Sequence, residues 1–139
     1  MNYSQQLRVV GQAVESRGIP DFTVRSEGDD YLIQGEPAGN WPEVRLTPRE
    51  LDQLELRGRA NRRDDKQAPD FHRPSNVLRA IGFYLDARGA QLNALSKLAQ
   101  MLTIELEVNG AIETEVRSVP NLYDLSLRMY NRRSNLEAN

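Results

Sequence analysis

The cationic residues of this chain are unusual in type, because 16 of the 18 are arginine and only Lys66 and Lys97 are lysine. Arginine forms bidentate contacts with carboxylates and phosphates that lysine cannot match. Two groups of arginines, each without an intervening acid, lie near predicted helix ends: Arg57, Arg59, Arg62 and Arg63 in the first half, and Arg128, Arg132 and Arg133 in the second. These seven residues are the candidate polyanion-binding site, with single-stranded nucleic acid as the candidate ligand.

A structural role explains the same arginines. Cations in the last turn of a helix interact favourably with the helix dipole and the free carbonyl groups without any ligand. Residues 1–68 carry 10 cations and 12 anions, and the remainder carries 8 of each. Nucleic-acid-binding domains usually show a basic balance. Nucleic-acid binding is therefore the alternative function, and binding of a protein partner or self-association is the leading one.

Four glutamates form a second charged pattern. Glu105 and Glu107 alternate with apolar residues before Asn109-Gly110, and Glu113 and Glu115 alternate with apolar residues after it. We expect all four on one face of a hairpin, with Glu105 opposite Glu113. Charged outer faces are normal for antiparallel sheets, so solvation is the first explanation, and arginine partners or a metal ion are the alternatives. A rigid sheet face is a poor cage for calcium or magnesium.

The sequence lacks the usual signatures of catalysis and cofactor binding. It has no Cys, and its single His, His72, lies in a segment of linker composition. A glycine-rich phosphate loop and paired histidines at ligand spacing are both missing. We therefore predict a non-enzymatic protein without a cofactor or metal. No apolar stretch approaches the roughly 18 residues of a membrane span and the N-terminus does not resemble a signal peptide, so we expect a cytoplasmic location and no membrane contact.

The chain repeats itself in two blocks. The first block runs from Leu7-Arg8-Val9-Val10-Gly11 to Arg17-Gly18 and matches Leu78-Arg79-Ala80-Ile81-Gly82 to Arg88-Gly89, 71 positions later. The second block matches Glu43-Val44-Arg45 and Pro48 with Glu115-Val116-Arg117 and Pro120, and one residue, Glu50, is skipped to align the leucines that follow. We predict one compact domain made of two copies, residues 3–63 and 75–134, with a linker at 64–74 and a tail at 135–139.

Each copy opens with an amphipathic helix that ends at Gly18 or Gly89. Gly11 and Gly82 lie inside these helices at matching positions, where glycine costs roughly 1 kcal/mol relative to alanine. Close approach of another backbone, such as that of the opposite helix, would explain them. Room for a bulky side chain would explain them equally well.

Three strands follow in each copy. The first copy has alternating apolar residues around Phe22 and Val24, again around Tyr31 and Ile33, and a third expected strand in residues 41–46. In the second copy, residues 91–99 carry leucines at helical spacing, but the repeat favours a strand and we predict a strand there.

The hairpin of the second copy has two candidate registers. A two-residue Asn109-Gly110 turn would place Ile112 opposite Glu107 and mix apolar and charged residues on each face. A three-residue loop of residues 108–110 instead pairs Leu106 with Ile112. We predict the second register because it buries more apolar surface.

Each copy closes with a second helix. Thr47-Pro48-Arg49-Glu50 is a capping box with proline at the first helical position, and Leu122, Leu125 and Met129 form an apolar stripe in the second copy. The sequence thus predicts an α+β fold of two tandem α-β-β-β-α units related by a pseudo-twofold axis. The helices should pack on one face of the antiparallel sheet or sheets, and whether the copies share a sheet stays open.

Overall fold

The computed structural model describes residues 2–37, 39–60 and 73–122, together with 124, 125 and 128, except for the side chains of 58–60. The helices of this part are α1 (Tyr3–Ser16), α2 (Pro48–Ala60) and α3 (Pro74–Arg88), and residues 119–122 are also helical. The strands are β1 (Phe22–Glu27), β2 (Asp30–Gly35), β3 (Val44–Leu46), β4 (Gln91–Leu98), β5 (Met101–Val108) and β6 (Ala111–Ser118). The fold is α+β, and none of the helices described is long and apolar enough to cross a membrane.

All six strands belong to one antiparallel sheet with the order β3-β2-β1-β4-β5-β6. The two halves of the chain meet at its centre, where β1 pairs with β4 and Val24 lies opposite Leu95. Both of these side chains are buried in the core. The core lies between one face of the sheet and the helices, since every described helix contributes buried residues to it. The halves therefore share one sheet and one core.

The helices α1 and α3 pack backbone to backbone through the two glycines. A Cβ atom on Gly11 would lie 2.4 Å from the Cα atom of Ser75, and a Cβ atom on Gly82 would lie 2.5 Å from the Cα atom of Ser4. No side chain larger than hydrogen fits at these distances. The prediction that another backbone approaches these glycines is confirmed, and the explanation by a bulky side chain is wrong.

Both helices end as the sequence predicts. Gly18 and Gly89 have φ angles of +67° and +63°, in the left-handed region that glycine adopts without penalty. In α2, the Thr47 Oγ1 atom accepts a hydrogen bond from the Glu50 backbone N–H at 3.3 Å, which is one half of the predicted capping box. Pro74 belongs to the predicted linker 64–74, but in the structure it is the first residue of α3. The predicted linker residues 64–72 and the tail lie outside the described residues.

Strand β4 confirms the prediction for residues 91–99 and explains their misleading spacing. The register with β5 shifts between Leu92 and Ala94, so that Asn93 is an extra residue in the strand. Such a bulge places Leu92 and Leu95 on the same face although they are three positions apart. Leu98, which follows after a further three residues, points to the opposite face and is 52% exposed.

The predicted register of the β5–β6 hairpin is wrong. Val108 pairs with Ala111, so Asn109 and Gly110 form a two-residue turn, and Leu106 lies opposite Glu113 rather than Ile112. Both turn residues have positive φ angles, +53° and +81°, which define the type I′ turn that Asn-Gly favours. The intrinsic preference of the turn prevails over apolar pairing at this edge of the sheet.

The four glutamates consequently do not share a face. Residues directly opposite each other point to the same side of a sheet, and Glu113 and Glu115 lie opposite the buried Leu106 and Ile104. They therefore face the helices, whereas Glu105 pairs with Thr114 on the other side. The predicted like-charge pair of Glu105 and Glu113 does not form, and the acidic face does not exist.

Two further expectations for the outer strands are corrected. The third strand of the first half spans only Val44–Leu46 instead of residues 41–46. The sequence match that equated Val44 with Val116 also fails, because Val44 packs against the core whereas Val116 is 63% exposed on the opposite face. The side-chain periodicity of a strand is two, so a one-residue error in alignment moves a residue to the other face.

Candidate functional site

The structure describes only part of the predicted polyanion-binding site. Arg57 near the end of α2 and Arg128 in the last helical residues described are both exposed. The helices that carry them follow β3 and β6, the two opposite edges of the sheet. The backbone of Arg59 belongs to α2, whereas Arg62, Arg63, Arg132 and Arg133 lie outside the described residues, as does His72. The helices that carry Arg57 and Arg128 therefore begin at opposite edges of the sheet. The described residues do not show these arginines as a single cluster.

The aromatic residues that could stack on bases are engaged in packing. Tyr31 is 4% exposed, and its hydroxyl donates a hydrogen bond to Gln6 Oε1 at 2.6 Å. Trp41 packs against the core and fills the space beside Gly35, where a Cβ atom would lie 2.5 Å from the indole. Tyr123 and Tyr130 are not among the described residues. Tyr31 and Trp41 are therefore engaged in packing and hydrogen bonding within the fold.

A different surface of the molecule is more distinctive. It is the face of the sheet that points away from the helices, and we call it the open face. Five large apolar side chains of the described residues are exposed, and four of them lie on β4, β5 and β6 on this face. We call these four the apolar patch: Leu98, Met101, Ile112 and Val116. Leu98 lies directly opposite Met101. The fifth exposed residue, Leu56, lies on α2.

The charges of the open face form two groups. Arg45 donates hydrogen bonds to Asp30 at 2.8 Å and to Glu27 at 3.2 Å, and these bonds raise the pKa of its guanidinium. Arg25 and Glu105 differ, because neither makes an ion pair or side-chain hydrogen bond with any other described residue. Both are exposed and lie on either side of Ala94 in one row across the sheet. Glu107, on the same side of β5 as Glu105, is likewise unpaired among the described residues, so the open face presents one unpaired cation and two unpaired anions.

The face of β6 that points toward the helices carries an ion network instead of apolar residues. Glu115 Oε1 accepts hydrogen bonds from the Tyr84 hydroxyl at 2.6 Å and from Arg88 at 3.1 Å. Arg117 donates to the other carboxylate oxygen of Glu115 at 3.3 Å, and Arg88 also pairs with Glu113 at 3.0 Å. Burial and the Glu115 hydrogen bond raise the pKa of Tyr84. This network satisfies the charges that the two-residue turn directs inward.

A cleft of about 480 Å³ lies between the end of α1 and the start of α3. Its lining includes two cations, Arg73 and Lys97, but each has an acidic partner. Arg73 pairs with Glu15 at 3.4 Å, and Lys97 pairs with Asp21 at 3.5 Å. The cleft therefore offers no uncompensated charge for an anion. The part of the chain that the structure describes also contains no group of three or more His, Asp or Glu side chains placed to hold a metal ion.

Comparison with known proteins gives no family for this chain. No family model matches it, and neither a curated protein nor a solved structure is similar to it at a significant level. The function of the open face must therefore be argued from the residues of this chain alone.

Sequence reasoning missed the apolar patch because it assigned Ile112 and Val116 to the core. The signal that could have found them was Asn109-Gly110, since this dipeptide strongly favours a two-residue turn. That turn, once accepted, places Ile112 and Val116 on the same side as Glu105 and Glu107. The turn chemistry of Asn109-Gly110 thus determines this register, although the other register would bury more apolar surface.

Proposed function

We propose that this chain is a small, non-enzymatic, cytoplasmic protein-interaction module that binds a polypeptide through the open face of its sheet. The observation that carries the proposal is the apolar patch, which holds four of the five large apolar side chains exposed among the described residues. Several large apolar side chains exposed on one face of a sheet are typical of an interaction site. The unpaired Arg25 and Glu105 beside it would provide specificity and orientation.

We also propose that the module arose by duplication, as two α-β-β-β-α copies related by a pseudo-twofold axis. The offset of 71 residues relates several pairs of equivalent contacts. The Ile19 N–H bonds to the Val14 carbonyl and the Ala90 N–H to the Leu85 carbonyl. Val24 lies directly opposite Leu95, its counterpart at the same offset. A residue that pairs with its own counterpart lies on the symmetry axis, so this axis would pass between β1 and β4.

The helices that close the two copies support the same offset. Thr47 Oγ1 accepts from the Glu50 N–H, and Ser118 Oγ accepts from the Asn121 N–H, each at 3.3 Å. Both residues therefore begin a helix, and they are 71 positions apart. The register of the duplication would then be constant, without the skipped residue that the sequence match requires.

Patch variants test the proposed function. Immobilised wild-type protein, the double variant Met101→Lys/Val116→Lys and the control Leu56→Lys are each exposed to a cytoplasmic extract, and the retained polypeptides are quantified by mass spectrometry. Leu56 is as exposed as Val116 but lies on α2. We expect a defined polypeptide, a second copy included, to be retained by the wild type and by Leu56→Lys and lost with the double variant. Equal retention by all three proteins would overturn the proposal.

The nucleic-acid alternative is tested separately by fluorescence anisotropy of labelled single-stranded DNA and RNA across a salt series. Phosphate contacts produce a steep dependence of affinity on salt. The proposed function predicts no saturable binding at low salt. Saturable, salt-sensitive binding that is weakened in the double variant Arg57→Ala/Arg128→Ala would favour the alternative, because both side chains are exposed.

A further inference from the structure

We propose that the polypeptide bound by the open face is a basic amphipathic helix that lies along β5. Its apolar side chains would cover Met101 and its neighbours at one end of the strand, and its Lys or Arg side chains would pair with Glu105 and Glu107 at the other. This inference rests on the proposed function and names the chemistry of the partner.

The open-face side chains of β5 change from apolar to acidic along the strand. Met101, at its start, lies opposite Leu98 and is 48% exposed. Thr103 follows, and then Glu105 and Glu107, neither of which pairs with another described residue. Alternate residues of a strand are about 7 Å apart, so roughly 20 Å separates Met101 from Glu107. A partner that follows β5 therefore meets apolar surface first and two uncompensated carboxylates after it.

The edge strand β6 adds apolar side chains along the same line. Val116 lies opposite Thr103, Ile112 lies opposite Glu107, and these two apolar side chains are 63% and 65% exposed. The aliphatic stem of a Lys or Arg that reaches Glu107 would pack on Ile112 while its charged group stays at the carboxylate. The acidic end of this surface therefore fits a long cationic side chain.

The middle of this surface is low enough to admit a helix. Four short side chains occupy it, namely Ala94, Ser96, Thr103 and Thr114. A helix of about 14 residues is roughly 20 Å long, which matches the distance from Met101 to Glu107. An amphipathic helix with its apolar face in a groove is a common mode of polypeptide recognition. Here the sheet-facing positions of the helix would be apolar in one half and basic in the other.

The charge of the open face favours a cationic partner. The strands place two arginines and four acids on this face: Arg25, Arg45, Glu27, Asp30, Glu105 and Glu107. The net charge of these residues is −2. Two open faces would therefore repel each other, and so would the open face and nucleic acid. Arg25 lies two strands from β5, a separation of about 10 Å, which leaves room for a partner's cation at Glu105.

The test uses three synthetic helical peptides of equal length and the full-length protein. The basic peptide has leucine at the sheet-facing positions of its first half and arginine at those of its second half. The acidic peptide has glutamate in place of arginine, and the shuffled peptide has the composition of the basic one without a common face. Fluorescence anisotropy of the labelled peptides at low salt gives each Kd. We expect saturable binding of the basic peptide and at least about tenfold weaker binding of the other two.

Matched variants assign the binding to this surface. Glu105→Gln/Glu107→Gln removes both carboxylates and should weaken binding of the basic peptide by about threefold to tenfold, because each exposed ion pair contributes modestly. Asp29→Asn/Asp52→Asn removes the same charge from exposed positions off this surface and should leave the Kd unchanged. Added salt should weaken binding to the wild type more than binding to the glutamine variant. Unchanged circular dichroism spectra and thermal melts show that the variants are folded.

Two results would overturn the inference: no saturable binding of the basic peptide, or binding that the glutamine variant and its control weaken equally. The polypeptides retained from the extract distinguish this failure from failure of the proposed function. If they are lost with Met101→Lys/Val116→Lys but kept by Glu105→Gln/Glu107→Gln, the proposed function stands and the partner is not basic. If the patch variant loses nothing, both proposals fail.

Discussion

The backbone N–H of Ser75, at the start of α3, donates a hydrogen bond of 2.8 Å to the carboxylate of Glu15, near the end of α1. The reverse contact is also present, since Asp86 near the end of α3 accepts hydrogen bonds of 3.1 Å from the N–H groups of Tyr3 and Ser4 at the start of α1. Each helix therefore supplies the N-terminal capping carboxylate of the other. The first N–H groups of a helix have no partner within the helix, so these acids satisfy donors that would otherwise be buried without one.

Removal of one of these capping acids should destabilise the whole domain. We expect Asp86→Ala to lower the free energy of unfolding by about 1–2 kcal/mol, because two N–H groups of α1 lose a charged acceptor. Urea denaturation monitored by circular dichroism measures the change. Glu43→Ala, at an exposed position, is the control and should shift stability by less than about 0.5 kcal/mol. Equal stability of the two variants would contradict the capping role.

Replacement of a glycine at the helix contact should destabilise the protein although it improves helix propensity. Gly82→Ala places a Cβ atom 2.5 Å from the Cα atom of Ser4 and 2.6 Å from its backbone nitrogen. Helix propensity alone predicts a stabilisation of about 1 kcal/mol, whereas the clash with a backbone predicts a loss of about 1–3 kcal/mol. The sign of the change in the urea midpoint decides between them, and we expect a loss.

The turn between β4 and β5 offers a stabilising substitution. Ala99 has a φ angle of +54°, in the region that favours glycine, and Gly28 occupies the corresponding turn of the first half at +60°. We expect Ala99→Gly to stabilise the protein by roughly 0.5–1 kcal/mol, because it removes the strain of the Cβ atom. The reverse change, Gly28→Ala, should destabilise the protein. Thermal melts of both variants check this prediction, and a lower melting temperature for Ala99→Gly would contradict it.

Alkaline pH should weaken the fold through Tyr84. Its pKa in the folded protein is raised above the value of about 10 in the unfolded chain. The stabilisation by the neutral phenol is therefore fully present below about pH 10 and is lost as the pH rises through the folded pKa. Burial raises the pKa of Tyr31 as well, so both tyrosines contribute to this loss.

Tyr84→Phe isolates the contribution of this residue to the pH dependence. The variant loses the hydrogen bond to Glu115 and should be less stable by about 1 kcal/mol at neutral pH. Its stability should also fall less steeply than that of the wild type above about pH 10, because one titrating group is gone. Urea midpoints measured from pH 8 to pH 11 give both quantities. Parallel pH profiles for the two proteins would show that Tyr84 does not titrate with unfolding.

Several features of the fold could be predicted from local chemistry or from the sequence match between the two halves of the chain. Gly18 and Gly89 end their helices in the left-handed conformation, and this preference belongs to glycine itself. The repeat predicted a strand at residues 91–98 although leucines three positions apart suggest a helix. The extra residue Asn93 explains how leucines at that spacing can lie in a strand. A bulge of this kind interrupts the two-residue periodicity of a strand, so the periodicity of the sequence does not reveal it.

The sequence by itself determined the order of helices and strands, the turns and the helix ends, because these depend on backbone preferences of a few neighbouring residues. Only the tertiary structure decided whether the charged side of β6, which the Asn109-Gly110 turn directs toward the helices, finds partners there. The long side chains of Tyr84 and Arg88 from α3 supply them, because both donate hydrogen bonds to Glu115 on the inner side. That partnership between distant residues allows the charged side to face the helices and leaves Ile112 and Val116 exposed on the open face.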